Sequence, residues 1–563
     1  MYPRTTSVPG RWRVQGRKAR QPKLYYEFSL ESTVPQDNFY RKLEKAVDLS
    51  WVHAKVAHCY SDVGRPSLDP EVFSKIELIA YLEGITSERE LMRQIDDRLS
   101  LRRYLGYDID ERVPDHSTLS KTRTLLGPEL LEEIFEHSVR LCAAAGMVGG
   151  VHISGDKTLV KANASLDSLE PRVVPYSPQE FVKRLYADNP IEQPAPEQPA
   201  PIVSVTEQPD YPPLLPVAAA APTCQTSQPA PVGPPALDEV PSSPEPATAE
   251  AQSRSSDSSA DGKPKDAGAG AKAQLSNATH VSRTDPDATL VTRSNAGPML
   301  AYAAEIWTDA RAGVITHADA STGAAPEHTT AMQAIEQQRS RFGLAVASVS
   351  YDKACGQGRL YRQLDEAGIV GFVPHQKYVN VTSGPGLYGL EDFTYDAERG
   401  IYICPAGKEL KYSCLKVNWP TASRVWQAKP RDCKACQLRP KCTKAKRYRT
   451  LQVSIYQPYY EQMDARLNGP GARLAAIARR TGPELRFAEG KQWQGLARAK
   501  YRGLVKFRGQ VLLTAAAQNI KKYVKWIWRK TSGAGKVRVR GSWLPDLLSL
   551  IAAYLSPLRP IRL

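Results

Sequence analysis

Three acidic residues stand in sequence settings that suit chemistry at phosphorus. Asp156 lies in Val-His-Ile-Ser-Gly-Asp-Lys-Thr, Asp352 follows the apolar run Leu344 to Val349, and Glu484 opens Glu-Leu-Arg-Phe-Ala-Glu-Gly-Lys. Because each aspartate closes a short apolar run of strand length, we expect both to project from the rim of a buried sheet. The stretch from Glu484 to Ser542 contains no proline, which favours a helix that lies across that rim.

Carboxylate oxygens are hard ligands that favour Mg²⁺ or Mn²⁺ over zinc. Two such ions roughly 3.5–4 Å apart would activate an attacking oxygen and stabilise a leaving oxygen in an in-line displacement at phosphorus. A single Asp or Glu is more often a helix cap or a surface charge than a catalytic group. The joint pattern therefore carries the prediction that Asp156, Asp352 and Glu484 bind metal and catalyse phosphoryl transfer.

The elements that must position these acids follow one order along the chain. Strands are predicted at Met299–Trp307, Gly313–Ala318 and Ile369–Val373, and helices at Glu327–Arg341 and Gly358–Ala367. The strand that precedes Asp352 falls between the two helices. The result is an α/β order of three strands followed by helix, strand, helix and strand, counting the strand of Asp156 as the first.

Several motifs around these elements carry a resemblance to a known family. They are Asp156 to Ser165, Ser282 to Ala288, Tyr351 to Gly356, Glu484 to Lys491, Tyr501 to Leu504, Arg65 to Pro70 and Tyr107 to His116. In these stretches the sequence resembles the bacterial insertion-sequence transposases with an RNase H-like DDE catalytic core. The resemblance covers most of the chain outside one linker.

The resemblance implies an RNase H-like catalytic core, to which the predicted α/β order corresponds, with an N-terminal all-α DNA-binding domain and a small β-rich insertion that contains cysteines. The core would comprise residues 147–186, 275–380 and 456–530. Many of these transposases carry tyrosine, arginine, glutamate and lysine at set spacings around the third acid. Arg480, Glu484 and Lys491 fit those spacings, and Ile477 stands at the tyrosine position. Arg480 and Lys491 are then expected to contact DNA phosphate.

The charge of the chain points to a polyanionic partner. It has 563 residues with 75 Lys and Arg against 59 Asp and Glu, a formal charge of +16. Residues 187–272 hold twelve acids and four basic residues, a net charge of −8, so the remainder carries +24. Lysines and arginines that neutralise phosphates gain from counterion release, which favours double-stranded DNA as the partner. Ribosomal association or simple solubility would give the same excess charge.

Targeting signals and cysteine usage indicate the compartment. The N-terminus lacks the apolar core of a secretory signal, and no apolar run is long enough to span a bilayer, so we expect a cytoplasmic, nucleoid-associated protein without a membrane partner. Nine cysteines without a signal favour reduced thiols and a metal site over a disulfide framework.

Residues 38–146, after an N-terminal tail of residues 1–37, are predicted to form the helical domain. Asp69 with Pro70 and Ser87 with Glu90 are helix-start signals, and a third helix is predicted from Asp115. That helix carries short hydroxyl residues beside Lys121 and Arg123, which suits phosphate contacts in a helix-turn-helix arrangement. A solvated helix face would show the same residues.

Residues 187–274 are dominated by Pro, Ala, Ser, Gln and acids, so we expect a disordered linker. The predicted β-rich insertion spans residues 381–455. Its thiols, with one Cys-x-x-Cys pair, suit one tetrahedral Zn²⁺; they are Cys404, Cys433, Cys436 and Cys442. Cys414 is a rival ligand, and unligated thiols are the alternative.

Beyond Glu484, Arg498 and Arg502 belong to a run of basic residues interleaved with Tyr501 and Phe507 that could follow a DNA backbone. A helix is predicted from Gln510 to Trp528, and residues 531–563 form a basic and apolar tail.

These observations predict a DNA transposase that binds the terminal inverted repeats of its element, hydrolyses a phosphodiester and joins the new 3′ hydroxyl to target DNA, acting as a homo-oligomer on DNA. A metal-dependent nuclease of the same fold and a catalytically silent DNA-binding remnant are the alternatives. His152 and His317 fall in predicted strands and are interpreted as core residues.

Overall fold

The computed structural model describes residues 28–61, 63, 67–172, 275–293, 297–375, 386–418, 421–531 and 549. The predictions of a disordered linker at 187–274 and of a basic and apolar tail after residue 531 lie outside the described residues, as do most of the N-terminal tail and Arg65. Within the described ranges, we find no helix that combines the length and apolar character needed to cross a membrane.

The chain divides into two compact units, Met1–Leu130 and Leu131–Leu563. The first unit is helical. Its described helices are α1 (Leu30–Thr33), α2 (Phe39–Ala46), α3 (Trp51–Val56), α4 (Pro70–Glu83), α5 (Glu88–Asp97), α6 (Leu99–Leu105) and the beginning of α7 (His116–Ala144). The backbone of α7 leaves helical geometry at Gly127, which has φ 74° and ψ 175° and precedes Pro128.

Local capping explains where the helices of the first unit begin. The Asp69 side chain accepts hydrogen bonds from the backbone N–H groups of Glu71 and Val72, and Pro70 occupies the first turn of α4. The Ser87 hydroxyl accepts from the N–H of Glu90 at the start of α5. Both predicted helix starts are therefore confirmed.

The second unit contains a six-stranded sheet. Its strands are β1 (His152–Lys161), β4 (Thr289–Arg293), β5 (Gly297–Asp309), β6 (Ile315–Thr322), β7 (Ser348–Ser350) and β8 (Val370–Phe372), while β2 (Leu169–Pro171) and β3 (His280–Ser282) form a separate antiparallel pair. β1 lies between β5, to which it is antiparallel, and β7, to which it is parallel. β8 continues the parallel half beyond β7, and β4 and β6 both pair antiparallel with β5.

Helices cover both faces of this sheet. They are α8 (Ala331–Phe342), α9 (Gly358–Glu366), α12 (Gln457–Asn468), α13 (Pro470–Arg479), α14 (Leu485–Trp493) and α15 (Leu504–Thr531). One face buries Ile153 and Val349 against α8, α9 and α12. Because side chains alternate along a strand, Val370 and Phe372 point to the other face, where they pack against Ala475 of α13.

The Ser282–Ala288 motif fixes the start of α15. The buried Asp285 carboxylate accepts hydrogen bonds from the Tyr302 hydroxyl at 2.5 Å and from the Gly503 N–H at 3.0 Å. Asp287 accepts from the Leu504 N–H at 2.9 Å. Carboxylates at the N-terminus of a helix satisfy its first N–H groups and complement its dipole. This motif therefore acts structurally, by holding α15 against β5.

The residues between the sheet and α12 form a second, five-stranded antiparallel sheet. Its strands are β9 (Thr394–Asp396), β10 (Ile401–Ile403), β11 (Glu409–Asn418), β12 (Thr421–Ala428) and β13 (Thr450–Ser454), hydrogen-bonded in sequential order. Two short helices, α10 (Pro430–Lys434) and α11 (Arg439–Cys442), connect β12 to β13. Leu410, Trp426 and Leu451 belong to its small core.

Candidate active site

Asp156 lies in the middle of β1, opposite Ile306 of β5. The expectation that Asp156 follows its strand and projects from the rim of the sheet is wrong, because antiparallel pairing with β5 continues β1 as far as Lys161. Alternation places Asp156 on the same face as Ser154 and Thr158, which is the face covered by α13.

On the other face of β1, Gly155 lets two aromatic rings pack directly against the strand. A Cβ atom on Gly155 would lie 2.4 Å from Tyr351 and 2.6 Å from Trp307, so glycine leaves room for both rings. The Lys157 ammonium lies 3.2 Å from the Glu305 carboxylate, and both side chains are almost fully buried. Glu305 also accepts hydrogen bonds from Trp307 and Thr330. Sequence reasoning missed this buried network beside Asp156.

Asp352 follows β7 by two residues and precedes a short 3₁₀ turn at Lys353–Cys355. This placement agrees with the prediction that it projects from the end of a strand. β7 runs parallel to β1, and Ser350 at the end of β7 pairs with Ser154. Asp156 and Asp352 each follow this pair by two residues, so both lie towards the same end of the sheet.

Glu484 ends a π-helical turn, Arg480–Glu484, and precedes α14. Gly482 in this turn has φ −93° and ψ −108°, and a Cβ atom there would lie 2.3 Å from Thr308 of β5. The turn therefore depends on a glycine that can approach the sheet and on Pro483, which needs no hydrogen-bond acceptor. The predicted helix after Glu484 is shorter than expected, because α14 ends at Trp493.

Arg479 joins two of the three acids. Its Nη1 donates to Asp352 Oδ1 at 2.7 Å, and its Nη2 lies 3.2 Å from Glu484 Oε1. The Arg479 side chain is 27% exposed, whereas those of Asp352 and Glu484 are 44% and 38% exposed. The acids therefore face an opening in the structure and share one cation.

Electrostatics tie Asp156 to the same group. The pKa of Asp156 is raised to about 7, chiefly by burial and then by the negative charges of Asp352 and Glu484, while Arg479 and the Lys157 N–H act in the opposite direction. Burial and like-charge neighbours disfavour the ionised carboxylate, and a bound cation would favour it. The structure thus brings Asp156, Asp352 and Glu484 into one electrostatic neighbourhood.

The three carboxylates suit a hard divalent cation, because such cations prefer oxygen ligands and because one arginine balances only part of the negative charge of the acids. Across the described part of the chain, no three His, Cys, Asp or Glu side chains stand close enough together to hold a metal ion. The arrangement described here is therefore the one in which Arg479 pairs with two of the acids.

Lys491 lies on α14 and donates from Nζ to the Thr158 hydroxyl at 2.5 Å. Thr158 shares a strand face with Asp156, so Lys491 lies on the side of β1 that carries the acid. Glu489 instead pairs with Arg486 at 2.7 Å on the same helix. Glu484 and Glu489 therefore form ion pairs with different arginines.

Arg480, which the resemblance implies would contact DNA phosphate, is exposed, and the neighbouring Arg479 makes the contacts with Asp352 and Glu484. The physical reason is the π-helical turn. In an α-helix residues four apart share a face, whereas a π turn aligns residues five apart. Arg479 is five positions before Glu484. The sequence signal for this shift is Gly482-Pro483 ahead of Glu484, which disfavours a regular α-helix.

The predicted DNA contacts divide into two groups. Arg123 forms ion pairs with Glu77 and Glu88 and its side chain is only 13% exposed, so its prediction as a surface contact is wrong. Long-range acidic partners that no local pattern reveals account for this. Lys121 is exposed.

Arg498 and Arg502 are also exposed, and both donate to Asn163 beyond the end of β1. Arg498 bonds to the side chain of Asn163 and Arg502 to its carbonyl, so the two guanidinium groups lie near one another. Because both are exposed, they remain candidates for phosphate contact.

The four predicted zinc ligands lie in the insertion and are half-buried free thiols. Cys404 follows β10, Cys433 and Cys442 lie in α10 and α11, and Cys436 lies between them. Cys404, Cys433 and Cys442 pack against the same small core. His152 and His317, which the sequence analysis left out of the site, are buried in strands.

Two segments of the chain match known protein families. Residues 28–125 match the family described as Transposase domain (DUF772), and residues 403–524 match the family described as Transposase DDE domain. Glu484 lies inside the second match, whereas Asp156 and Asp352 precede it. Together the two matches support the identification of the chain as an insertion-sequence DDE transposase. No curated protein and no solved structure matches the chain.

Proposed function

We propose that this transposase binds the terminal inverted repeats of its element and catalyses metal-dependent phosphodiester hydrolysis and strand transfer, with Asp156, Asp352 and Glu484 as the metal-binding acids. The single observation that carries the proposal is that Arg479 pairs with both Asp352 and Glu484, and that the charges of these two acids act on the buried Asp156 carboxyl. The strand order, three antiparallel strands and then two parallel ones joined through helices, supports an RNase H-like core.

The residues divide the chemistry between them. A divalent cation held by the three carboxylates would stabilise negative charge on oxygens at phosphorus. Asp156 is positioned by the pairing of β1 with β5, whereas Glu484 is positioned by the π-helical turn. Lys491, beside Thr158, is placed to attract a DNA phosphate next to the acids. Arg479 would be free to turn from the acids towards a phosphate once a cation replaces it.

The test is cleavage and joining of a DNA duplex that carries the element's ends, with Mg²⁺ or Mn²⁺. We expect wild-type protein to nick the ends and to produce joined molecules, and Asp156→Asn and Asp352→Asn to do neither while still binding the ends. Glu489→Gln is the matched control, because Glu489 pairs with Arg486 and not with the candidate site.

Each other outcome contradicts part of the proposal. Near-full cleavage by Asp156→Asn or Asp352→Asn would remove that residue from the site. Nicking without joined products, from 3′ hydroxyl ends supplied with target DNA, would indicate a nuclease. Binding without any cleavage by wild-type protein would indicate a silent DNA-binding remnant.

A further inference from the structure

The insertion contains two helical segments too short to be stable by themselves. α10 has five residues and α11 has four, and isolated helices of this length do not persist in water. The core beneath them is small and is shared with the five-stranded sheet. Residues 429–449 also carry nine Lys or Arg and one Asp, so like charges repel along the whole segment. Contacts with groups outside α10 and α11 must therefore hold this segment in place.

Cys404 lies in the turn between β10 and β11, where one backbone N–H contacts its sulfur. The Cys404 N–H donates to the Lys408 carbonyl at 2.9 Å, and the Gly407 N–H donates to the Cys404 carbonyl at 2.8 Å. The Lys408 N–H then donates to Cys404 Sγ at 3.3 Å. Gly407 adopts φ 71°, the left-handed conformation that glycine tolerates best. The Lys408 N–H therefore helps to fix the position of the Cys404 sulfur in this turn.

The other three thiols lie on the segment that needs support. Arg449, a buried side chain, donates to the Cys442 carbonyl at 2.8 Å and to the Tyr388 carbonyl at 2.9 Å. Arg439 donates to the Cys433 carbonyl at 3.5 Å. These two arginines hold the backbone of α10 and α11 and leave the sulfur atoms of Cys433 and Cys442 to face the core.

Three of the four thiols meet at one small core. Cys404, Cys433 and Cys442 all pack against the core that contains Leu410, Trp426 and Leu451, and Cys436 lies between the two short helices that carry Cys433 and Cys442. Cys414 is the only other cysteine in the described part of the insertion, and it lies on β11 at a register shift in the pairing with β12.

We propose that Cys404, Cys433, Cys436 and Cys442 together bind one structural Zn²⁺, which joins the turn after β10 to α10 and α11. Zn–S bonds of about 2.3 Å in a tetrahedron put the sulfurs roughly 3.8 Å apart. The described residues contain no group already that compact. The thiols therefore draw together on binding, and each releases its proton as its sulfur coordinates the metal. The site is independent of the catalytic proposal.

Metal analysis of the full chain, purified without chelators from cells supplied with zinc, tests the proposal. We expect about one zinc per chain in wild-type protein and in Cys414→Ser, the matched control, and much less in Cys433→Ser and Cys436→Ser. Since loss of a structural ligand also impairs folding, a second measurement uses folded wild-type protein. A mercurial thiol reagent should release zinc that a colorimetric chelator detects, in step with the modification of four thiols.

Cobalt substitution shows whether thiolates bind the metal and whether Cys414 is one of them. Co²⁺ loaded into wild-type protein and into Cys414→Ser should give the same intense thiolate charge-transfer absorption. Wild-type protein without zinc, or zinc loss in Cys414→Ser equal to that in Cys433→Ser, would overturn the assignment. Cobalt spectra without thiolate bands would also overturn it. None of these measurements uses DNA, so failure of the catalytic proposal would not affect them.

Discussion

Arg479 donates a hydrogen bond of 2.7 Å to Asp352, and the same guanidinium lies 3.2 Å from Glu484. The Arg479 guanidinium thus lies between two acids that come from separate parts of the sequence. A cation that entered between these carboxylates would have to displace the arginine. Arg479 is therefore a competitor for the position that a metal ion would take.

Replacing Arg479 by Ala should make the protein less stable without metal and more responsive to it. Loss of a half-exposed ion pair costs roughly 0.5–1 kcal/mol, and the acids are then left to repel one another. Melting temperatures with EDTA and with Mg²⁺ measure the effect. We expect the gain from Mg²⁺ to be larger in Arg479→Ala than in wild type, with Arg480→Ala, an exposed neighbour, unchanged. An equal gain in all three proteins would contradict the competition.

Glu484→Gln should lose cleavage by a factor on the order of 10³ or more, whereas Glu489→Gln should lose little. Glu484 shares Arg479 with Asp352, and Glu489 pairs with Arg486 on another side of α14. Single-turnover cleavage of a pre-bound end substrate with Mn²⁺ compares the two. The reverse ranking would show that Glu489 is the third acid.

Lys157→Met should destabilise the protein by about 3–5 kcal/mol, because it leaves the Glu305 carboxylate buried without its cation. The two side chains are 1% and 4% exposed. Lys157→Met combined with Glu305→Gln should recover part of the loss, since no uncompensated charge remains. Urea unfolding measures each variant. Glu366→Gln, in the exposed Arg362–Glu366 pair, is the control and should change little. A double variant less stable than Lys157→Met would contradict this account.

Stability should fall in acid because of His152. Burial lowers the pKa of His152 in the folded protein to about 3, below the value of 6.5 expected when unfolded. The unfolded state therefore binds the extra proton, so the contribution of His152 is complete above pH 6.5 and is lost as the pH falls towards 3. Its slope is at most about 1.4 kcal/mol per pH unit.

The difference in unfolding free energy between wild type and His152→Gln, measured from pH 7 to pH 4, isolates this term. Buried Asp309, whose pKa burial raises, acts in the opposite direction, but it is present in both proteins. The two curves should converge as the pH falls. Parallel curves would mean that His152 is not buried in its neutral form.

Local signals in the sequence were sufficient for several elements, although β4 and the β2–β3 pair were not predicted. The caps at Asp69 and Ser87 depend on neighbouring residues, so they are readable from sequence and are confirmed. The strand and helix order of the core followed from apolar runs of the right length, with ends displaced by a few residues. The acidic residues Asp156, Asp352 and Glu484 could be selected as a group from the sequence; the structure links Asp352 and Glu484 through Arg479, and their shared role stays a prediction.

Tertiary structure decided what these residues face. Asp156 lies inside a strand because β5 pairs with it beyond the apolar run, and Arg123 is occupied by Glu77 and Glu88 from other helices. Arg479 reaches the acids, and Arg480 does not, because a π-helical turn against Thr308 shifts the helix face. Residue types and short-range periodicity are properties of the sequence itself. Partners distant in the chain, and a one-residue change of helical phase, exist only once the chain has folded.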